Sequence, residues 1–197
     1  WRADAERVLA AEQQAGDGRC DVGECILCQR EVRFDPGAGL REGMLCHVCG
    51  CNARQRAAAA VLLAELKQQP RAKVYATEQA SPFYVALRRR LPRLRGSEYL
   101  HSWRRRFQKS RWLWRQGVYA WVRHADMTAL GAANASLDAI ISLDVLEHVP
   151  DHRAALRECA RVLKPGGRIT AVGPPGAITV PAGLKSARGR PSFHDQV

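Results

Sequence analysis

Residues 137–172 constrain this chain more than any other stretch. They read Leu-Asp-Ala-Ile-Ile-Ser-Leu-Asp-Val-Leu-Glu-His-Val-Pro-Asp-His, then Arg-Ala-Ala-Leu-Arg-Glu-Cys-Ala-Arg-Val-Leu, then Lys-Pro-Gly-Gly-Arg-Ile-Thr-Ala-Val. Leu137 to Leu143 is a short, mostly apolar run with β-branched Ile140 and Ile141, the pattern of a strand buried on both faces of a parallel sheet. From Asp151 onward, Leu156, Cys159, Ala160 and Leu163 recur at helical spacing, with Arg153, Arg157, Glu158 and Arg161 on the other face. Pro165 forbids continuation of that helix, and Gly166 or Gly167 can take the left-handed turn. Arg168 to Val172 then begins a second strand. Strand, helix and strand in this order predict an α/β fold with a parallel sheet.

Acids stand at the point where the first of these strands ends, at Asp144 and Glu147. In open α/β sheets, ligands bind beyond the carboxyl ends of the strands. The segments Asp138-Ala-Ile-Ile-Ser, Asp144-Val-Leu-Glu-His-Val and Arg161-Val-Leu-Lys-Pro-Gly-Gly-Arg, in that order, resemble the second half of a class I S-adenosylmethionine-dependent methyltransferase of the type 11-like group. On the residues alone, an unrelated βαβ unit is the alternative. The resemblance implies a Rossmann-like parallel sheet with helices on both faces, and S-adenosyl-L-methionine as cofactor. It implies an enzyme that transfers a methyl group to an acceptor the sequence does not identify.

Cysteine usage gives the second constraint. Six of the seven cysteines lie between Cys20 and Cys51. Cys25-Ile-Leu-Cys28 and Cys46-His-Val-Cys49 form two C-x-x-C pairs with 17 residues between them. Each pair can present two thiolates on a tight knuckle, so the spacing predicts a Cys₄ zinc site made of Cys25, Cys28, Cys46 and Cys49. Four protein ligands leave no open position, which makes such a zinc structural. Two disulfides are the alternative, but no secretory signal marks the chain. A thioredoxin-like motif fits less well, since neither pair opens a helix in a βαβ pattern. Cys20, His47 and Cys51 lie close enough to substitute as ligands. A zinc ribbon directly before a methyltransferase domain also resembles a recognised subgroup of these enzymes, and Cys46-x-x-Cys49-Gly50 followed by Asn52-Ala-Arg-Gln-Arg56 supports that.

These signals divide the chain into a leading helix within 1–19, a zinc ribbon over 20–56 and a Rossmann-like domain over 57–197. An Ala/Leu-rich helix at 57–69 leads into a first strand at Lys73 to Glu78. The glycine-rich turn usual after that strand is replaced by Thr77-Glu-Gln-Ala-Ser-Pro82. Ser81 and Pro82 read as the N-cap and first residue of the next helix, which ends in Arg88-Arg89-Arg90. The second strand is placed at Tyr99-Leu100 and the third at Val122 to Leu130.

The resemblance implies cofactor contacts from the strand ends. These are Glu78 in the first loop, Glu98 for the ribose hydroxyls, Asp126 and Met127 for adenine, and Leu143 and Asp144 at the central strand. A solvated loop acid is the alternative for Glu78, and Glu98 reads equally as a structural acid. His148 follows the central strand and is a candidate base, although a histidine there more often caps or packs the next helix.

Charge is uneven. The formal net charge is +12, and residues 88–123 hold twelve Lys or Arg against one acid, Glu98. Within this region, 101–123 mixes arginines with Trp103, Trp112, Trp114 and Trp121. It reads as an insertion whose tryptophans pack on the sheet, as an anion- or nucleic-acid-binding face, or as a membrane-surface helix. A non-catalytic module that binds nucleic acid or another anionic partner through 101–123 is the alternative function. The methyl acceptor is itself expected to be anionic if that surface serves it.

No apolar run approaches the ~20 residues that span a bilayer, and a cytoplasmic location is expected. The chain begins at Trp1, and Gly173-Pro-Pro-Gly176 is expected to break structure before a turn-rich tail. The expectation is therefore a fragment whose closing antiparallel strands are missing.

Overall fold

A computed structural model describes residues 22–35, 42–66, 69, 71–173 and 176–181. The expected leading helix, Cys20 and the tail beyond 181 lie outside the described residues. Three short strands, β1 (Val22–Cys25), β2 (Arg30–Asp35) and β3 (Leu45–Cys46), form an antiparallel sheet in the order β1-β2-β3. Val32 and Phe34 alternate inward along β2 while Glu31 and Arg33 point out, the period-two pattern of a half-buried strand. Helix α1 (Ala53–Glu65) follows at once. It starts four residues before the predicted helix because Asn52 and Gln55 form a reciprocal capping box: Asn52 Oδ1 accepts the Gln55 N–H at 2.8 Å, and Gln55 Oε1 accepts the Asn52 N–H at 3.1 Å.

The second sheet contains β4 (Val74–Ala76), β5 (Arg95–Gly96), β6 (Leu137–Leu143), β7 (Leu163–Gly173) and β8 (Gly176–Pro181), in the order β5-β4-β6-β7-β8. The first three pairings are parallel and the last antiparallel. Helices α2 (Pro82–Arg90), α3 (Trp103–Arg115) and α4 (His152–Val162) and a 3₁₀ turn at Leu146–His148 connect the strands. The central strand is buried almost end to end, as its apolar run predicts.

The two faces of the sheet pack into different clusters. Val74, Ala76, Ala139, Ile141, Leu143 and Val172 face Ala58 and Leu62 of α1 and the aromatic side of α2. Ile140 and Ile169 face Ala155, Cys159 and Val162 of α4 on the other side. A register irregularity between Leu137 and Ala139 turns Leu137 onto the α4 face with Ile140. The first cluster also takes in Cys25, Leu27, Val32, Phe34 and Cys46, so the small sheet and the large one share one core.

Several expectations are corrected in detail. Ala155, Cys159 and Val162 form the buried stripe of α4, while Leu156 is 48% exposed. The second strand is Arg95–Gly96 rather than Tyr99–Leu100. The third strand contracts to one parallel bridge, Glu98 to His124. Its ladder donors are diverted to side chains: the Val122 N–H bonds Ser110 Oγ at 2.8 Å, and the Arg123 N–H bonds Gln79 Oε1 at 3.1 Å. The Trp-rich segment forms α3. Only Ser110 and Leu113 of that helix are fully buried, and Phe107, Trp114 and Trp121 pack on one another with ring centroids 6.0–6.4 Å apart.

The expectation that structure breaks after residue 173 also fails in part, because β8 forms a hairpin with β7 from Gly173↔Gly176 to Arg168↔Pro181. The run Ala-Ile-Thr-Val at 177–180 is β-branched enough to extend the sheet once the Gly/Pro turn is read as a hairpin turn. No further strand follows among the described residues. No helix among them is long and apolar enough to cross a membrane.

Candidate functional site

The Sγ atoms of Cys25, Cys28, Cys46 and Cys49 all lie within 4.8 Å of one another. The Cys25–Cys49 and Cys28–Cys46 separations are 3.9 and 3.8 Å. A tetrahedral Zn–S site with bonds of about 2.3 Å has S···S edges of roughly 3.8 Å, so the four thiols fit such an ion. All four are free of disulfides.

The two knuckles are built alike. The Gln29 N–H bonds the Cys25 carbonyl at 2.7 Å, and the Gly50 N–H bonds the Cys46 carbonyl at 2.8 Å. Both closing residues sit in the left-handed region, Gln29 at φ 54° and Gly50 at φ 68°. Glycine adopts that conformation without strain, whereas Gln29 must be held there by the knuckle. Cys51 is buried and directs its thiol to the Cys49 carbonyl at 3.8 Å, outside the four-thiol group. Arg56 threads behind the second knuckle. Its guanidinium donates to the Met44 carbonyl and, at 2.7 Å, to the Cys51 carbonyl, and it lies 4.2 Å from the Phe34 ring centroid.

The second constellation gathers at the carboxyl ends of β4 and β6. Asp144 ends the central strand at φ 52°, a conformation Asp tolerates better than most residues. Its N–H bonds the Val172 carbonyl at 2.9 Å. Both carboxylate oxygens are gripped by the Arg54 guanidinium, which also reaches Glu42 Oε1 at 3.0 Å. Burial pushes Glu78 up to about 7, with the nearby Glu98 and Asp144 charges adding to it and the Ser81 hydrogen bond and Arg54 opposing it. Glu78 Oε1 and Arg54 Nε are buried with no hydrogen-bond partner. An acid and a base left partly unsatisfied beside each other form a polar cradle that a zwitterionic group would complete.

Glu98 reaches into the same loop. Its Oε1 accepts the N–H groups of Gln79 at 3.0 Å and Ala80 at 2.7 Å, and its Oε2 lies 3.7 Å from Lys109 Nζ. The loop that replaces the glycine-rich turn is thus pinned by a carboxylate. Thr77 anchors its start through Ser142 Oγ at 3.1 Å, and Ser81 caps α2 by accepting the Tyr84 N–H at 3.1 Å.

The other predicted contacts have different partners. Asp126 accepts both the N–H and the hydroxyl of Thr128 at 2.8 Å, and these bonds lower its pKa. Met127 is buried in the α4-side cluster, and Leu143 in the α1-side cluster. The His148 side chain is 77% exposed, with Nε2 3.6 Å from Glu147 Oε1. Sequence reasoning missed Arg54. It stood within the quoted Asn52-Ala-Arg-Gln-Arg56 run, but nothing in that run hints that it would reach Asp144, 90 residues away in sequence.

Residues 57–171 match the family described as a methyltransferase domain. That is more than half of the chain. The chain belongs to the methyltransferase domain family. Among curated proteins it is similar to the ubiquinone biosynthesis O-methyltransferase of Xanthomonas oryzae pv. oryzae, 56% identical over 34 residues, 17% of this chain and 14% of that protein. It is similar also to the 27-O-demethylrifamycin SV methyltransferase of Amycolatopsis mediterranei, 41% identical over 63 residues, 32% of this chain and 23% of that protein.

Among solved structures it resembles a candidate sarcosine dimethylglycine methyltransferase from Galdieria sulphuraria, with a TM-score of 0.54 and 20% identity over 70% of this chain and 52% of that one. The [4+2]-cyclase SpnF gives a TM-score of 0.51 at 15% identity, over 83% of this chain and 56% of that one. The family chain thus spans about half the length of these structures and a seventh to a quarter of the two curated relatives. The presence of a cyclase among them illustrates that this fold alone does not fix a reaction.

Proposed function

We propose that this chain is an S-adenosylmethionine-dependent methyltransferase whose fold is braced by a structural zinc ion on Cys25, Cys28, Cys46 and Cys49. The observation that carries the reading is the polar cradle of Arg54, Glu78 and Asp144 at the carboxyl ends of the two central strands, within a chain of the methyltransferase domain family. Ligands of open α/β sheets bind at that edge. The cradle's charges suit an α-ammonium and an α-carboxylate, the amino-acid end of S-adenosylmethionine. The loop Thr77-Glu-Gln-Ala-Ser-Pro82 that replaces the usual glycine-rich turn departs from the family's pattern and favours the non-catalytic alternative, which the calorimetric test below separates. Glu98, Asp126, Met127 and Leu143 are its further proposed contacts along the strand ends.

When bound, S-adenosylmethionine supplies an electrophilic methyl group on a sulfonium. The chain's own residues bind and orient, and the rate enhancement rests on proximity and alignment. A base is required only for a hydroxyl or protonated amine acceptor. His148, exposed after the strand end, is the candidate for that base. The O-methyltransferase names of the two curated relatives favour an oxygen acceptor.

Isothermal calorimetry of the zinc-loaded chain with S-adenosylhomocysteine tests the reading. Saturable heat with one site per chain is expected. A scaffold that binds no cofactor gives no heat, and that result would end the enzyme reading.

A further inference from the structure

A groove of about 1220 Å³ runs along the β5 edge of the sheet, away from the acid cradle. It exists because the third strand contracts to one bridge, which leaves the flank of β4 and β5 open toward residues 119–125 and 130–137. Lys73, Arg88, Arg93, Arg95 and Arg123 line it, with His124. No Asp or Glu is among its described lining residues. The Arg88 guanidinium reaches the Leu91 carbonyl at 3.5 Å and the Tyr84 side chain, and that of Arg93 reaches the Arg71 carbonyl at 3.4 Å; neither meets an acid there. Asp138, which faces Lys73, is already held by Lys164 Nζ at 2.6 Å and by the Lys73 N–H at 2.7 Å. Tyr119, 88% exposed, and Trp121, 44% exposed, stand at the groove's rim.

Five like charges around one groove repel one another unless an anion neutralises them. A single small anion carries too little charge to neutralise five cations. The volume also exceeds the roughly 300–1,000 Å³ of ordinary small-molecule sites. Several cations lining one groove, with an exposed Tyr119 and a half-exposed Trp121 beside them, are the two elements of a single-strand nucleic-acid site. We propose that this groove binds single-stranded nucleic acid, with the arginines on phosphates and Tyr119 and Trp121 stacked on bases.

One end of the groove touches the loop after β4. Gln79 donates to the Trp121 carbonyl and accepts the Arg123 N–H, both at 3.1 Å, while its own N–H is held by Glu98. The inference concerns binding alone and is tested without S-adenosylmethionine, so its outcome is independent of the calorimetric one.

Fluorescence anisotropy of labelled oligouridylate and oligothymidylate with the zinc-loaded chain measures it. With about five phosphates neutralised, affinity for a single strand falls roughly tenfold for each doubling of salt. Arg93→Glu/Arg95→Glu/Arg123→Glu loses at least ten times more affinity than Arg104→Glu/Arg105→Glu/Arg111→Glu, which makes the same charge change on exposed positions of α3. Tyr119→Ala, with its thermal transition and zinc content unchanged, weakens binding several-fold. It carries the test if the triple groove variant does not fold. The proposal is overturned by no binding at low salt, by equal losses in the two triple variants, by an unchanged affinity in Tyr119→Ala, or by duplex DNA and anionic vesicles binding as tightly as the single strand.

Discussion

Glu78 shows how much a single side chain's surroundings decide. In sequence it is one acid in a polar loop, legible also as a solvated residue. In the fold it is half-buried with one buried oxygen unsatisfied, near Asp144 and Glu98, and desolvation raises its pKa to about 7. The folded-state pKa therefore lies above the unfolded one. Between about 4.5 and 7 the native state holds a proton that the unfolded chain has lost, so stability falls as pH rises through that window. The full swing is at most on the order of 3 kcal/mol. Glu78→Gln should remove it: urea denaturation should give a variant more stable than the parent at pH 8 and little different at pH 4.5. Parallel stability profiles across pH 4.5 to 8 would show that Glu78 ionises freely. Burial of this kind depends on which segments pack over the loop, and no local pattern in the sequence reports it.

At the scale of elements, periodicity and turn chemistry were good guides. The central strand, Ser81-Pro82 opening α2, Asp151 capping α4, and Gly166 at φ 78° after α4 all stand where apolar runs and capping residues put them. What failed were short strands whose donors bond side chains, as at Val122 and Arg123, and a hairpin hidden behind a Gly/Pro turn. The four-thiol cluster was legible because metal spacing is a local code. The Arg54–Asp144 pair was not, because it joins two elements far apart in the chain.

That pair makes α1 part of the candidate cofactor site. The guanidinium bridges two acids, with Nη1 on both Asp144 oxygens and Nη2 on Glu42, and a lysine keeps the charge but cannot span both. Arg54→Lys should therefore weaken S-adenosylhomocysteine binding by about tenfold, with a thermal transition close to the parent's. The Arg54→Ala variant removes the guanidinium that bridges Asp144 and Glu42 and should lose more affinity, plus about 1–3 kcal/mol of stability. Calorimetry and denaturation on both variants check this. Unchanged affinity in both would remove Arg54 from the site.

At the scale of the whole molecule, the cysteine knuckles and the large sheet behave as one body. Cys25, Leu27, Phe34 and Cys46 share a core with Leu62, Phe83, Ile141 and Val172, and the Arg90 guanidinium clamps the first knuckle through the Ile26 carbonyl. Helix α1 leaves the second knuckle through the Asn52 cap, and Glu65 Oε2 near its far end meets Arg168 Nε of β7 at 2.6 Å. A metal that fixes the knuckles thus fixes the start of the helix that carries Arg54. Metal loss should therefore propagate beyond the ribbon. The proposed zinc contributes folding energy directly, because thiolates packed together without an ion repel and must protonate. Elemental analysis should find about one zinc per chain, and close to none in Cys28→Ser or Cys49→Ser. The zinc-free protein should unfold several degrees lower and bind S-adenosylhomocysteine more weakly, with both properties returning when zinc is restored to the parent chain. Since the thiols must be deprotonated to hold the ion, acid should release zinc and lower the melting temperature together. A zinc-free chain with the parent's thermal transition and cofactor affinity would mean that the knuckles are an independent appendage rather than the brace of the site.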